Sequence, residues 1–133
     1  MTVLVGVGLV VLVAAVVGWR RYTVARVCGQ SMSPTYVDGE RVLALRRRHY
    51  RNGDVIVFRP AGQLVMRGDP AWRIKRVTAV AGDPVPEWLS GKETTVPRGH
   101  VVVVGDNARS QDSRQLGYVG TAHVAGVVVR RLG

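Results

Sequence analysis

Trp72-Arg73-Ile74-Lys75-Arg76-Val77-Thr78-Ala79-Val80-Ala81, closed by Gly82-Asp83-Pro84, is the stretch that decides the fold. Period-two alternation sets Trp72, Ile74 and Arg76 on one face and Arg73, Lys75 and Val77 on the other, which predicts a strand. The Gly-Asp-Pro that follows is turn chemistry, with glycine free to take a positive φ. The same grammar recurs in both directions along the chain. Apolar, β-branched runs occupy residues 23–28, 41–45, 54–59, 63–67, 72–81, 100–104 and 125–130. Between them stand Asp38-Gly39, Asn52-Gly53, Gly68-Asp69-Pro70 and Gly105-Asp106-Asn107, all turn formers. Residues 84–99 carry three prolines and two glycines without a sustained period, and read as a surface excursion. Valine occurs 28 times against a single Phe, and a β-branched excess of that size favours pleated strands. An all-β barrel or folded sheet is expected.

The chain has 133 residues, room for one ordinary domain and not for a multidomain enzyme. With 47% hydrophobic and 21% charged residues it has the composition of a packed protein, not of a disordered one. No charge occurs from Thr2 to Trp19, and 18 residues of helix span about 27 Å, close to a bilayer's hydrocarbon core. A cleavable signal peptide would carry Lys or Arg before the apolar run and an Ala-x-Ala site after it. This chain has neither, and Trp19, Arg20, Arg21 and Tyr22 follow instead, as at a membrane interface. The expected division is a retained membrane anchor at 1–23 and a domain at 24–133.

Nineteen basic residues against nine acidic ones give a net charge of +10, and 17 of the basic residues are Arg. Such a balance points to nucleic acid or an anionic membrane surface, and charge alone does not choose between them. Arg46-Arg47-Arg48 could grip phosphates of either source, although a charge run is more often a solvated face. One cysteine, Cys28, allows no intrachain disulfide and too few ligands for a zinc site. Arg67-Gly68-Asp69 beside Pro70 reads as an ordinary turn.

Gly29-Gln30-Ser31-Met32-Ser33-Pro34-Thr35 leaves a strand and enters a turn, which would expose a serine. A serine hydroxyl is a weak nucleophile until a base takes its proton. His49, His100 and His123 stand in no triad or metal spacing. Lysine is the more informative residue, since only Lys75 and Lys92 occur in a chain otherwise built with arginine. Arginine keeps its proton near neutral pH, whereas a lysine desolvated among apolar neighbours such as Ile74, Val77 and Val80 can lose it and act as a base. On composition alone, an ordinary surface lysine is still the commoner outcome.

Four blocks in order now bear on the question: G-Q-S-M-S-P-T at 29–35, G-D-V-I-V-F at 53–58, I-K-R-V-T-A-V-A-G-D at 74–83 and G-D-N-A-R-S-Q-D-S-R at 105–114. With an apolar helix in front, the chain resembles type I signal peptidases, membrane-bound serine/lysine endopeptidases of the S26 type. The resemblance implies an all-β catalytic domain, a signal-peptidase-like folded sheet, with one N-terminal transmembrane helix. It implies Ser31 as nucleophile and Lys75 as general base, with Ser110 orienting the lysine and the Ser31 N–H helping to hold the oxyanion. Arg76, Asp106, Asp112 and Arg114 match structural ion pairs that hold the last block against the lysine strand. Gly29, Met32 and Pro34 match positions shaping the nucleophile turn and the cleft. No cofactor or metal is implied.

Two departures stand out. Gly29 lacks the hydroxyl that some relatives offer to the oxyanion, and the last block is one residue short between Asn107 and Ser110. The implied activity is removal of signal or leader peptides from exported precursor proteins with small residues at −1 and −3 of the cut. The implied partners are that precursor and membrane lipid, with no nucleic acid. The implied place is the plasma membrane, crossed once, with the catalytic domain extracytoplasmic. Arg20, Arg21 and Arg26 after the helix oppose that orientation under the positive-inside rule. Two alternatives keep part of this reading: a dedicated maturation protease for one precursor, and a non-catalytic, membrane-tethered basic β-domain.

Overall fold

The computed structural model describes residues 1–60, 72–89 and 91–133. Helix α1, Thr2–Trp19, covers the uncharged run from end to end, and none of its side chains is buried. It is long and apolar enough to cross a membrane, with a mean hydropathy of 2.5. Exposing so many valines and leucines to water would be costly, so the helix belongs in lipid.

Strand β1 (Tyr22–Arg26) follows two residues later, then β2 (Arg41–Leu45), β3 (Val55–Phe58), β4 (Arg73–Val80) and β5 (His100–Val104). A short helix α2 (Ser113–Leu116), β6 (Val119–Gly120) and β7 (Val124–Arg131) complete the domain. All seven strands form one antiparallel, curled sheet in the order β1-β2-β7-β3-β4-β5-β6. Register shifts at Leu43/Ala44, Val57/Phe58 and Val77/Ala79 put irregularities into three ladders, and such bulges bend a sheet. The expected all-β domain with one membrane helix is what the chain forms. The expected strand at 63–67 and the expected turn at Gly68-Asp69-Pro70 lie outside the described residues.

β3 shows why the sheet curls around a core instead of lying on one. Val55 and Val57 pack with Val42, Ala44, Met32 and Ile74 on one face, while Ile56 and Phe58 pack with Val77, Val103, Val124 and Val127 on the other. A strand covered on both faces reads as an unbroken apolar run, as Val55-Ile56-Val57-Phe58 does. Each such side chain contributes about 1.5–3 kcal/mol relative to staying exposed. The excursion at 84–99 is tied down more firmly than its prolines imply. Val96 is buried against Ala79 and Val102, and Pro84 bridges Thr95.

β4 carries the functional edge. It pairs with β3 through Arg73–Arg76 on one side, but with β5 only from Arg76 onward on the other. Among the described residues, no strand pairs with Ile74 and Lys75 on the β5 side. A cleft of about 360 Å³ opens there.

Candidate active site

Ser31 sits in the turn after β1, and Met32 fixes that turn by burying its side chain in the core at 1% exposure. The Ser33 and Tyr36 N–H groups donate to the Gln30 and Met32 carbonyls, which coils residues 30–36 tightly. Gly29 takes φ +83°, a conformation that favours glycine, and its N–H donates to Asp38 Oδ1 at 2.8 Å. Pro34 lies exposed on the outside of the turn. Lys75 comes from the open stretch of β4. Its side chain is 4% exposed, and Nζ donates to Ser31 Oγ at 2.6 Å across 44 residues of sequence.

Burial disfavours the charged amine and, with the nearby Arg73 charge, lowers the Lys75 pKa to about 8, against a smaller opposing pull from Asp112. The folded chain therefore holds this proton less tightly than the unfolded chain. The contribution of Lys75 to stability rises with pH between about 8 and its ordinary value of 10.5.

The last block clamps the turn from the opposite side. Asn107 N–H donates to the Ser31 carbonyl at 2.9 Å, and its side-chain amide donates to the Gln30 carbonyl at 3.0 Å. Asp106 accepts two bonds from the Arg76 guanidinium, at 2.9 and 2.8 Å, and a third from the Thr35 hydroxyl at 2.6 Å. One carboxylate thus links the serine turn, the lysine strand and the last block. Gly105 shows how tightly these parts fit, because a Cβ placed there would lie 2.2 Å from Ser110 Oγ and 2.6 Å from the Ser31 carbonyl oxygen.

Ser110 is buried and lines the same cleft as Ser31 and Lys75. Its hydroxyl donates to Asp112 Oδ2 at 2.6 Å and accepts the Gly105 N–H at 3.1 Å. Asp112, at 0% exposure, caps α2 and pairs with Arg114 through Nε at 2.9 Å and Nη2 at 2.8 Å. Burial alone would raise its pKa. Hydrogen bonds from Arg114, Ser110 and the Gly105 N–H outweigh that effect and bring it down to about 2. This carboxylate adds stability above its ordinary 3.8, and that stability is lost as pH falls through about 2. The Arg76–Asp106 pair joins the last block to the lysine strand, whereas Asp112–Arg114 lies within the block and steadies α2.

Sequence reading took Asn107 only as a turn former and gave Thr35 and Arg131 no role at the site. Arg131 donates to the Thr35 carbonyl, stacks over the Tyr36 ring at 4.9 Å and pairs with Glu40 at 3.3 Å. None of the three histidines lines the cleft. Among the described residues, no three His, Cys, Asp or Glu side chains gather into a group that could hold a metal ion.

The curled antiparallel sheet and the membrane-length helix are the frame in which these residues meet. The chain belongs to the signal peptidase family, peptidase S26, which it matches over residues 1–87 and 85–132. It is similar to mitochondrial inner membrane protease subunit 1 of Schizosaccharomyces pombe, with 32% identity over 121 residues, covering 84% of this chain and 73% of that protein. The protein of the same name from Xenopus tropicalis is 35% identical over 114 residues, covering 78% of this chain and 65% of its own length. These relatives overturn the expected plasma-membrane location, since both are named for the mitochondrial inner membrane. The expectation erred because it came from the resemblance to peptidases acting on exported precursors, while the apolar helix itself carries nothing about which membrane it crosses.

Proposed function

We propose that the chain is a serine/lysine endopeptidase dedicated to maturing one or a few precursor proteins at a membrane. The observation that carries this is the 2.6 Å contact between Lys75 Nζ and Ser31 Oγ, made by an amine whose burial favours its neutral form. Once neutral, Lys75 accepts the Ser31 proton as the hydroxyl oxygen attacks the scissile carbonyl carbon, and it returns that proton to the leaving amine. Water then attacks the acyl-enzyme, giving its proton to Lys75, and Ser31 takes the proton back as the acid product leaves. The Ser31 N–H donates to no acceptor among the described residues, so it is free to stabilise the oxyanion. Ser110, held by Asp112 and Gly105, forms the cleft wall beside the amine and limits its orientation.

The open edge at Ile74 and Lys75 supports an extended substrate that adds as a strand, which leaves alternate side chains facing the cleft. Small residues at −1 and −3 suit that arrangement. Similarity to proteins named as inner membrane protease subunits favours a dedicated maturation enzyme over a general remover of leader peptides from exported precursors.

The test is to incubate the full chain, in detergent, with a broad panel of precursor proteins and to map the cut sites by mass spectrometry. Cleavage of a few precursors, after small residues at −1 and −3, is expected. Cutting across most of the panel would move the reading to general leader removal. A folded chain that cuts none of them would favour the non-catalytic alternative.

A further inference from the structure

Arg20 and Arg21 leave the foot of α1, and Arg46 N–H donates to the Arg21 carbonyl at 2.8 Å. That bond holds the Arg46-Arg47-Arg48 run, which leaves β2, beside the point where the chain enters the membrane. Two adjoining depressions lie there, of about 880 and 350 Å³, sharing Arg46, Ala122 and Val124. Arg21, Arg46, Arg47 and Arg48 line the larger, Arg20 and Arg59 line the smaller, and among the described residues no acidic side chain lines either. Elsewhere this protein neutralises arginines with carboxylates, as at Arg76, Arg114 and Arg131. Among the described residues, no ion pair neutralises Arg20, Arg21, Arg46, Arg47 or Arg48.

We infer that this arginine-lined depression binds the phosphate of an anionic phospholipid in the leaflet that α1 enters. Five guanidinium groups gathered without acids repel one another, and a phosphate relieves that repulsion while accepting paired N–H donors. The helix supplies the source of the phosphate. Thr2–Trp19 spans the hydrocarbon, and Trp19, 80% exposed, marks the interface, so the arginines that follow sit at headgroup depth. Single-stranded nucleic acid would need free aromatic faces for stacking; among the described residues Tyr50 is the one aromatic side chain lining the larger depression, and Trp72 in the smaller has Arg59 over its ring at 4.4 Å.

The experiment is thermal unfolding of the full chain in neutral detergent, titrated with dioleoyl-phosphatidylglycerol, dioleoyl-phosphatidylcholine, inorganic phosphate or a single-stranded RNA oligonucleotide. Phosphatidylglycerol is expected to raise Tm saturably, and phosphatidylcholine is not. The triple variant Arg46→Gln, Arg47→Gln, Arg48→Gln should need about 10²-fold more phosphatidylglycerol for the same shift. A triple variant of equal charge change, Arg26→Gln, Arg41→Gln, Arg130→Gln, should behave like wild type. Equal weakening in both triple variants, or none in the first, would overturn the site. Equal shifts from both lipids with the wild-type chain would do the same without any variant. An equal response to inorganic phosphate would reassign the depression to free phosphate, and tighter binding of the RNA would overturn the lipid assignment.

Discussion

Ser31→Ala and Lys75→Ala are each expected to abolish precursor cleavage while the domain stays folded. Without Ser31 no acyl-enzyme forms. Without Lys75, no other base among the described residues bonds to the hydroxyl, and none of the histidines lines the cleft. Lys75→Arg should be equally inactive, because arginine keeps positive charge near the serine but does not give up its proton near neutral pH. A loss of about 10³-fold or more in kcat/KM is expected for both lysine variants. The fold can be checked independently by thermal unfolding, where Lys75→Ala should stay close to wild type because removing an amine that is costly to charge when buried offsets the packing lost with its stem. Turnover by the arginine variant within tenfold of wild type would remove Lys75 as the base.

Gly105→Ala is expected to produce the next largest effect, by displacement and not by loss of a reacting group. The added methyl would stand 2.2 Å from Ser110 Oγ and 2.6 Å from the Ser31 carbonyl, so the last block must move away from the nucleophile turn. That shift strains the Asn107 bond to the Ser31 carbonyl and moves Ser110 relative to Lys75. Overpacking of this kind costs about 1–3 kcal/mol, and an ångström of misplacement lowers turnover by about 10²-fold. Urea unfolding and kcat/KM on one precursor peptide test both parts. A variant with unchanged stability and rate would show that the last block does not position the dyad. Ser110→Ala should cost less than loss of Ser31 or Lys75, since it touches the amine's surroundings and not the proton transfer itself.

The elements that were legible in sequence are those whose apolar pattern is local. α1, β2 and β5 begin and end where hydropathy and turn residues place them. β6 was not legible, because Val119–Gly120 is a strand only by pairing with Val101 and His100, and two residues hold no period. α2 left a trace that went unread: Asp112 and Gln115 have the spacing of a capping box, and the structure forms one. At the site, lysine in an arginine-rich chain marked Lys75, but only the family resemblance joined it to Ser31 across 44 residues. Arg131 gave no signal, since one working arginine among 17 looks like the rest. Asn107 read as a turn former, and it does form the turn; its hold on the Ser31 carbonyl needs two distant segments to meet.

The most direct test of the serine/lysine chemistry is the pH dependence of kcat/KM on a single precursor peptide. Burial, reinforced by the Arg73 charge, lowers Lys75 to about 8, and only the neutral amine can accept the serine proton. Log kcat/KM should therefore rise with pH at a slope of about one and level off near pH 8, above the ~6.5 of an unperturbed histidine. The same limb should persist in a variant lacking His49, His100 and His123. An acidic limb near 6.5 that disappears in that folded triple variant would contradict the assignment of Lys75 as the base.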